Sequence, residues 1–345
     1  MTDPIRLAIL GCGTIARTSH LPAVLVHPDV RLAALVDSDL KRAQSLLPGT
    51  PEGCVAVTYY RPLFGQLDAI INTLPNSLHA PVTLEALRAG VHVLCEKPLA
   101  TTAADARVCA ETAEQKNRVL AVGMNRRFVA SHPLLRLVLR EGLLGPVQDY
   151  EWQYGGAFAW KSASGFYFSR ALAGGGALID FGVHMLDSLI DWFGPVSEFD
   201  YQDDNLGSGI EANALLDVKH AGPYGEIQGH LRVSRTYTLK NSLLVRGAAA
   251  TAEIPATDPD VVILHRTIQG QAVSETLRLP DYPATSSFYK QLDNFVESIR
   301  GRQKPEADGR RALEVIGLIE DCYRQARRIP EPWFEPLPEL AKAGA

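Results

Sequence analysis

Residues 5–37 read IRLAILGCGTIARTSHLPAVLVHPDVRLAALVD, and this stretch decides the fold. It begins with an apolar run of strand length and passes through Gly11 and Gly13 into a helical stretch that ends near Val26. A second apolar run then ends in Asp37. Glycines at a strand-to-helix turn let a pyrophosphate approach the free N–H groups of the helix start, and the terminal acid accepts from ribose hydroxyls. The stretch therefore predicts a dinucleotide-binding unit.

The residues predicted to bind this cofactor lie on the glycine turn, after the second strand and on later loops that follow strands. They are Gly11, Gly13, Thr14, Ile15, Asp37, Arg42, Leu74, Asn76, His79, Glu96 and Lys97. Asp37 favours NAD because its charge would repel a 2′-phosphate, whereas Arg42 leaves NADP open. Asn76 and His79 either contact the cofactor or hold its loop, and a plain helix-start role is the alternative for His79.

Strands and helices alternate regularly through the first part of the chain. The strand-length runs after the second one are 54–58, 68–73, 91–95 and 119–124. This order predicts an open parallel sheet with helices on both faces and with ligands beyond the carboxyl ends of its strands. From about Gly145 most segments read as strands joined by turns, which predicts a second, antiparallel sheet. The last helices, at about 286–327, can pack back on the first domain.

Composition narrows the class of protein. The chain has 345 residues, enough for two domains, and a net charge of −5 without a basic run interleaved with aromatics, which argues against a nucleic-acid partner. No stretch approaches the ~18 apolar residues of a membrane span, and residues 1–20 lack a leader pattern, so we expect a cytoplasmic protein without a membrane partner. The cysteines are scattered, which favours reduced thiols and predicts neither disulfides nor a metal site. They are Cys12, Cys54, Cys95, Cys109 and Cys322.

Residues 174–193, GGGALIDFGVHMLDSLIDWF, predict an apolar helix behind three glycines that let a backbone or a ligand approach closely. At about 100° per residue, a narrow polar stripe on this helix contains Asp180, His184, Asp187 and Asp191. Asp180 and His184 are four residues apart, so they are predicted to touch. A carboxylate beside an imidazole orients the ring and raises its basicity, as a general base requires. The alternative is an amphipathic helix that shows water its polar edge.

Five segments carry a resemblance to a known family. They are GCGTIA at 11–16, LPNSLHAPVTLEALRAGVHVLCEKPLA at 74–100, GMNRRF at 123–128, GGGALIDFGVHMLD at 174–187 and ADGRRALEVIGLIEDCYRQA at 307–326. On these motifs the chain resembles the glucose–fructose oxidoreductase/inositol dehydrogenase (Gfo/Idh/MocA) family over almost its whole length. The resemblance implies an NAD(P)-dependent oxidoreductase that acts on a sugar, nucleotide sugar, glycoside or cyclitol.

The resemblance also implies an architecture. The fold class is α/β plus α+β, with a Rossmann dinucleotide-binding domain over residues 1–125. Residues 126–345 are expected to form a substrate-binding and oligomerisation domain built on a large, mostly antiparallel open sheet. A homodimer or a homotetramer closed by twofold symmetry is expected. The family usually has a cis peptide bond at the position of Lys97–Pro98.

In members that oxidise alcohols, the catalytic trio corresponds to Lys97, Asp180 and His184, and these residues also contact substrate. Hydride transfer needs a base for the hydroxyl proton, which the resemblance assigns to His184 with Asp180 orienting it. Lys97 would polarise the same oxygen, stabilise the developing alkoxide and disfavour protonation of the imidazole. In reduction, Lys97 or His184 supplies the proton. Leu74 departs from the threonine usual in the family, so a hydroxyl contact to cofactor is lost there.

Three further residues are predicted to bind substrate. Arg126 follows a strand on the ligand-binding edge and can grip a hydroxyl, a carboxylate or a phosphate. Trp160 and Lys161 lie in the loop-like segment AFAWKSASG. On the catalytic helix, Asp187 can bind substrate hydroxyls, whereas Asp191 is expected to be solvated or structural.

Arg127 is as compatible with a surface charge as with a ligand contact.

Two other functional classes stay open. A glycosidase or eliminase that retains NAD would use hydride transfer transiently and release sugar without net NADH. A non-catalytic nucleotide-sensing regulator would not need Lys97, Asp180 and His184 together, so their joint presence favours an enzyme.

Overall fold

The computed structural model of the chain describes residues 3–159, 164–205, 209–280, 282–283 and 285–329. A six-stranded sheet forms from the first part of the chain. Its strands are β1 Ile5–Leu10, β2 Val30–Val36, β3 Val55–Val57, β4 Ala69–Asn72, β5 His92–Cys95 and β6 Leu120–Val122. Every neighbouring pair is parallel, and the order is β3–β2–β1–β4–β5–β6. The chain order therefore reverses beside β1, where ligands bind in doubly wound folds.

The strands of this sheet are connected mainly by helices. They are α1 Leu21–Val26, α2 Leu40–Gln44, α3 Asn76–Arg88 and α4 Ala103–Lys116, with a 3₁₀ turn at Arg61–Gln66. The hydroxyl of Thr102 caps α4 by accepting from the backbone N–H of Asp105, and Asn117 ends the helix in the left-handed conformation. The helix after the glycine turn begins as a π-helical turn, Ala16–His20, before α1.

A nine-stranded sheet forms the second half of the molecule. Its strands are β7 Val147–Gly155, β8 Val196–Asp203, β9 Asn213–Gly222, β10 Gly225–Ser234, β11 Leu243–Gly247, β12 Thr251–Ile254, β13 Val262–Ile268, β14 Gln271–Leu277 and β15 Arg327–Arg328. The order is β14–β13–β12–β11–β7–β10–β9–β8–β15, and only the β7–β10 and β8–β15 pairs are parallel. The predicted fold class, a Rossmann sheet plus a mostly antiparallel sheet, is confirmed.

Further helices and turns connect and cover this sheet. They are α5 Ser131–Arg140, α6 Arg170–Ala173, α7 Val183–Phe193, α8 Ser287–Ile299 and α9 Gly309–Arg324, with 3₁₀ turns at Asn125–Phe128 and Gly165–Phe168 and a π-helical turn at Leu178–Gly182. No helix in the described part of the chain has the length and apolar character needed to cross a membrane.

Aromatic packing holds α7 against the second sheet. Phe193 stacks on Tyr150 of β7 with the ring centroids 5.0 Å apart, and Trp192 stacks on Trp152 of β7 at 5.8 Å. Gly229 of β10 makes room for this layer, because a Cβ there would lie 2.0 Å from the ring of Tyr150. The predicted helix is therefore largely buried, and its orientation is set by the rings beneath it.

The C-terminal helices return to the first sheet. α9 packs against both α4 and α7, and the carbonyl of Ala307 accepts from the backbone N–H of Val122 at 2.9 Å. Gln291 of α8 donates to the carbonyl of Val122 at 3.2 Å. The edge strand β6 is therefore covered, and α9 contacts helices from both halves of the chain.

Candidate active site

One cavity of about 1020 Å³ lies between the carboxyl ends of the parallel strands and the start of α7. Its lining brings together the predicted site residues that fall in the described part of the chain. They are Gly11, Gly13, Thr14, Ile15, Asp37, Arg42, Leu74, Asn76, His79, Glu96, Lys97, Arg126, Asp180 and His184. Trp160 and Lys161 lie outside the described residues.

The glycine turn forms one end of this cavity. Gly11 has φ +96°, which favours glycine, and a Cβ there would lie 2.7 Å from the carbonyl oxygen of Thr73. The side-chain hydroxyl of Thr73 donates to the carbonyl of Gly11 at 2.6 Å. A side chain would close the cradle between β1 and the loop after β4, so the turn fits a pyrophosphate that must approach backbone closely.

Asp37 lies at the end of β2 and is nearly buried. Its carboxylate accepts from the backbone N–H groups of Cys12 and Asp39, each at 2.9 Å. The guanidinium of Arg42 adds a third donor at 3.1 Å. An acid and an arginine are therefore paired at the place where a dinucleotide presents its adenosine ribose.

His79 and Asn76 connect the loops that line the middle of the cavity. The ring nitrogens of His79 lie 2.6 Å from the carbonyl oxygen of Pro98 and 2.7 Å from that of Leu74. Asn76 donates to the carbonyl of Ala173 at 2.8 Å. These contacts support the loop-holding alternative for both residues. The peptide bond Lys97–Pro98 is cis, which confirms that expectation.

Asp180 bonds two cations. Lys97, which follows β5, donates through Nζ to Asp180 Oδ1 and to its carbonyl oxygen, both at 2.9 Å. Arg235, which follows β10, donates to Asp180 Oδ2 at 3.0 Å. Burial opposes both charges, but the attraction between them outweighs it, so the pKa of Lys97 is raised and that of Asp180 is lowered. The pair is therefore ionised at neutral pH.

Asp180 does not orient His184 through a hydrogen bond, as the sequence led us to expect, because no such bond joins them in the described structure. Nδ1 of His184 is buried without a hydrogen-bond partner among the described residues, and both carboxylate oxygens of Asp180 bond Lys97 and Arg235 instead. Residues four apart lie side by side in an α-helix. Leu178–Gly182 is instead a π-helical turn, whose i→i+5 hydrogen bonds change the angles between side chains.

His184 is an uncharged imidazole at the wall of the cavity. Burial lowers its pKa well below 6.5, and the positive charges of Lys97 and Arg126 lower it further. The expected rise in the basicity of the imidazole is therefore wrong, although the ring is unprotonated at neutral pH and can accept a proton.

Glu211 holds the start of the helix that carries Asp180. Its buried carboxylate accepts from the backbone N–H groups of Gly176 and Leu178 at 2.9 and 2.8 Å. The hydroxyl of Tyr323 donates to the same carboxylate at 2.8 Å. A Cβ on Gly176 would lie 1.9 Å from the carbonyl oxygen of Glu211. The glycines thus admit neighbouring protein groups, one of the two alternatives that the sequence left open.

The predicted role of Asp187 in substrate binding is wrong, as is the surface position considered for Arg127. Both side chains are buried, and Arg127 grips the Asp187 carboxylate through Nε at 2.6 Å and Nη2 at 2.9 Å. Asp191 takes the structural role, since Arg127 and Arg136 both donate to it. The carboxylates of Asp187 and Asp191 are therefore used for packing between α7 and the turn Asn125–Phe128.

Arg235 and Glu211 were missed by sequence reasoning. Each lies just outside a strand of the second sheet, and neither belongs to a motif. The only signal for Glu211 was its charge in an otherwise uncharged stretch, 209–216, and Arg235 carried none. Their roles depend on which strand lies opposite α7.

A Rossmann sheet with a glycine cradle faces a helical segment, packed on a second sheet, that supplies a carboxylate and an imidazole. This arrangement defines a dinucleotide-dependent oxidoreductase architecture. Two family models agree with it. Residues 5–124 match the model described as oxidoreductase family, NAD-binding Rossmann fold, and residues 133–253 match the GFO/IDH/MocA C-terminal domain. The chain belongs to the Gfo/Idh/MocA family, as its motifs indicated.

Several relatives are known. A D-glucoside 3-dehydrogenase of Escherichia coli (strain K12) is 34% identical over 191 residues, so the match spans 54% of this chain and about half, 53%, of that relative. A dTDP-3,4-didehydro-2,6-dideoxy-alpha-D-glucose 3-reductase of Saccharopolyspora spinosa is 31% identical. That match covers 95% of this chain and 99% of the reductase. The crystal structure of an aldose-aldose oxidoreductase from Caulobacter crescentus, complexed with glycerol, has a TM-score of 0.80 and 27% identity, covering 94% of this chain and 97% of that one.

The buried Arg127–Asp187 pair generates a stability prediction. Asp187→Ala should lower the free energy of unfolding by about 3–5 kcal/mol, because it leaves a buried guanidinium without its bidentate partner. Asp68→Ala is the matched control, since Asp68 pairs with Arg6 at the surface and its loss should cost under ~1 kcal/mol. Urea denaturation of both variants measures the difference. Equal losses would contradict the structural role assigned to Asp187.

Proposed function

We propose that the protein is an NAD(P)-dependent oxidoreductase that interconverts a secondary alcohol and a ketone on a sugar, nucleotide sugar, glycoside or cyclitol. The observation that carries the proposal is the cavity in which the glycine cradle, the Lys97 ammonium and the uncharged His184 imidazole meet. When bound, a nicotinamide cofactor accepts or donates a hydride at ring C4. This substrate range is supported by the relatives described above, which are named as a glucoside dehydrogenase and a nucleotide-sugar reductase.

Lys97 is proposed to bind the reacting oxygen. An ammonium has three N–H donors, and Asp180 accepts from Lys97 through Oδ1 and through its carbonyl oxygen. One donor is left for the substrate oxygen in the cavity. Because the ammonium stays charged, it stabilises the negative charge that develops on that oxygen during oxidation.

His184 is proposed to take the hydroxyl proton during oxidation and to return it during reduction. We assign the proton to Nε2, because Nδ1 is buried without a partner among the described residues. The low pKa of the imidazole keeps this nitrogen unprotonated before reaction. Asp180 acts through Lys97 as a positioning residue, and Arg235 supports it from the second sheet.

The cofactor is proposed to be NAD, with NADP as the alternative. Asp37 offers its carboxylate to the ribose hydroxyls, and its charge disfavours a 2′-phosphate. Arg42 already donates to this carboxylate and therefore offsets part of its charge. The preference for NAD is accordingly expected to be moderate.

The assembly is proposed to be a homodimer or homotetramer formed through the second sheet. Along β10 every second residue from Gln228 to Arg232 is exposed, while the intervening ones are buried. One face of the sheet thus packs inward, and the other offers an extended surface for a symmetric contact. Light scattering at micromolar protein concentration tests this, and a strict monomer would refute it.

The catalytic assignment predicts separable effects on turnover and binding. His184→Ala and Lys97→Met should each lower NADH formation by at least about a hundredfold, because the base or the cation is lost. The affinity for NAD, measured by calorimetric titration, should change less than about threefold, since neither side chain belongs to the glycine cradle. The control is His265→Ala, which removes a histidine of β13 that pairs with Glu253 of β12 and should keep full activity.

The pH profile adds a second readout. His184 must be unprotonated to accept a proton, and its pKa lies well below 6.5, so oxidation should persist at pH 6.5 and fall only at lower pH. Retention of more than about a tenth of the turnover by His184→Ala would refute its role as base.

If Asp37 and Arg42 set the preference for NAD over NADP, their substitutions should change this preference in opposite directions. Asp37→Ser should relax or invert the preference for NAD, because the repulsion of a 2′-phosphate is lost. Arg42→Ala should strengthen the preference, because it removes the cation that offsets Asp37. Calorimetric titration with NAD and NADP measures both. Tighter binding of NADP by the unmodified protein would show that Asp37 does not select the cofactor.

A further inference from the structure

Among the described residues, every charged side chain that lines the cavity is paired with an oppositely charged group or with a histidine, with one exception. The pairs are Asp37 with Arg42, Asp180 with Lys97 and Glu96 with His20, at N···O distances of 3.1, 2.9 and 2.7 Å. The exception is Arg126, which lines the same cavity but has no carboxylate within 4.0 Å among the described residues. A half-buried guanidinium without an anion is costly, and a ligand that supplies one recovers that cost.

Arg126 is held in place by a neutral partner. Its guanidinium carbon lies 4.3 Å from the centroid of the Tyr154 ring, and Tyr154 in turn packs edge-on against Phe181 at 5.2 Å. A cation over an aromatic ring is attracted by the ring but keeps its charge. Tyr154 orients the planar fork but supplies no negative charge, and a guanidinium has five N–H donors, more than one neutral partner uses.

The position of Arg126 places it beside the reaction centre. It follows β6 in the turn Asn125–Phe128, and it lines the same cavity as Lys97 and His184. A molecule whose hydroxyl faces His184 can therefore also reach Arg126. Lys97 and Arg235 share the Asp180 carboxylate, and Glu96 pairs with His20, so neither carboxylate is used by Arg126.

We propose that Arg126 binds an oxyanion, a carboxylate or a phosphate, that the sugar substrate itself carries. The guanidinium fork matches the paired oxygens of either group. From the sequence, the ligand of Arg126 could be a hydroxyl, a carboxylate or a phosphate. The guanidinium has no carboxylate partner among the described residues, and this favours the two anions over the hydroxyl. This inference rests on the proposed function and narrows its substrate class to acidic sugars, sugar phosphates or nucleotide sugars.

Calorimetric titration of the NADH-loaded protein with four probes tests the proposal without turnover. The probes are D-glucose, D-glucuronate, D-glucose 6-phosphate and UDP-glucose. At least one anionic probe should bind about tenfold or more tightly than glucose, equivalent to about 1.4 kcal/mol. A preference for glucuronate assigns the site to a carboxylate, and a preference for either phosphorylated probe assigns it to a phosphate.

Substitutions locate the effect. Arg126→Gln should reduce the anionic preference to about twofold or less, whereas Arg126→Lys, which keeps the charge but not the fork, should retain part of it. Arg266→Gln is the matched control, because it removes an arginine of β13 that pairs with Glu275 of β14 and should leave the preference unchanged. An unchanged affinity for NADH shows that each variant is folded.

The proposal is overturned if no anionic probe binds better than glucose, including the case in which none binds, or if the preference persists in Arg126→Gln. Failure of the proposed function looks different. His184→Ala with normal NADH formation would remove the catalytic assignment, but it would leave an Arg126-dependent preference for anions in place.

Discussion

The ion pair between Lys97 and Asp180 is the interaction on which the rest of the site depends. Lys97 follows a strand of the parallel sheet, whereas Asp180 lies on a π-helical turn that packs against the second sheet. Arg235 binds the other carboxylate oxygen from the end of β10. Because these groups are buried, losing one would leave an unpaired charge, a change that typically costs about 3–5 kcal/mol. The two halves of the chain are therefore joined at the point where the reacting oxygen is proposed to bind.

The backbone before Asp180 makes this pair possible. Glu211 accepts from the N–H groups of Gly176 and Leu178, which a helix start leaves without intrahelical partners. The close approach of its backbone requires glycine at 176. From the π-helical turn that follows, the Asp180 carboxylate reaches Lys97. The glycines at 174–176 thus allow the close packing that positions the carboxylate of Asp180.

One electrostatic environment serves two purposes in the proposed enzyme. Burial and the neighbouring cations lower the pKa of His184 and keep the imidazole unprotonated, while Asp180 keeps Lys97 charged and fixed. Arg126 contributes to the first effect and has no carboxylate partner among the described residues, so the same charge that tunes the base favours an anionic substrate. In the proposed enzyme, Arg126 thus influences both the protonation of His184 and the choice of substrate.

The sequence by itself determined the parallel sheet, the glycine cradle at Gly11, the acid at Asp37 and the loops that bring Lys97 to one edge, because these depend on local hydrophobic patterns and turn residues. It also placed Asp180 and His184 on one buried segment. Only the tertiary structure decided their partners. The helical spacing predicted a contact between them, but a π-helical turn changes the angles between their side chains. Arg235 and Glu211 lie beside strands of the second sheet, and no local sequence pattern relates these strands to α7. Likewise, Arg127 became a buried partner of Asp187 because α7 packs on the turn after β6. Ion pairs between distant segments are set by how sheets and helices pack, which short-range periodicity does not encode.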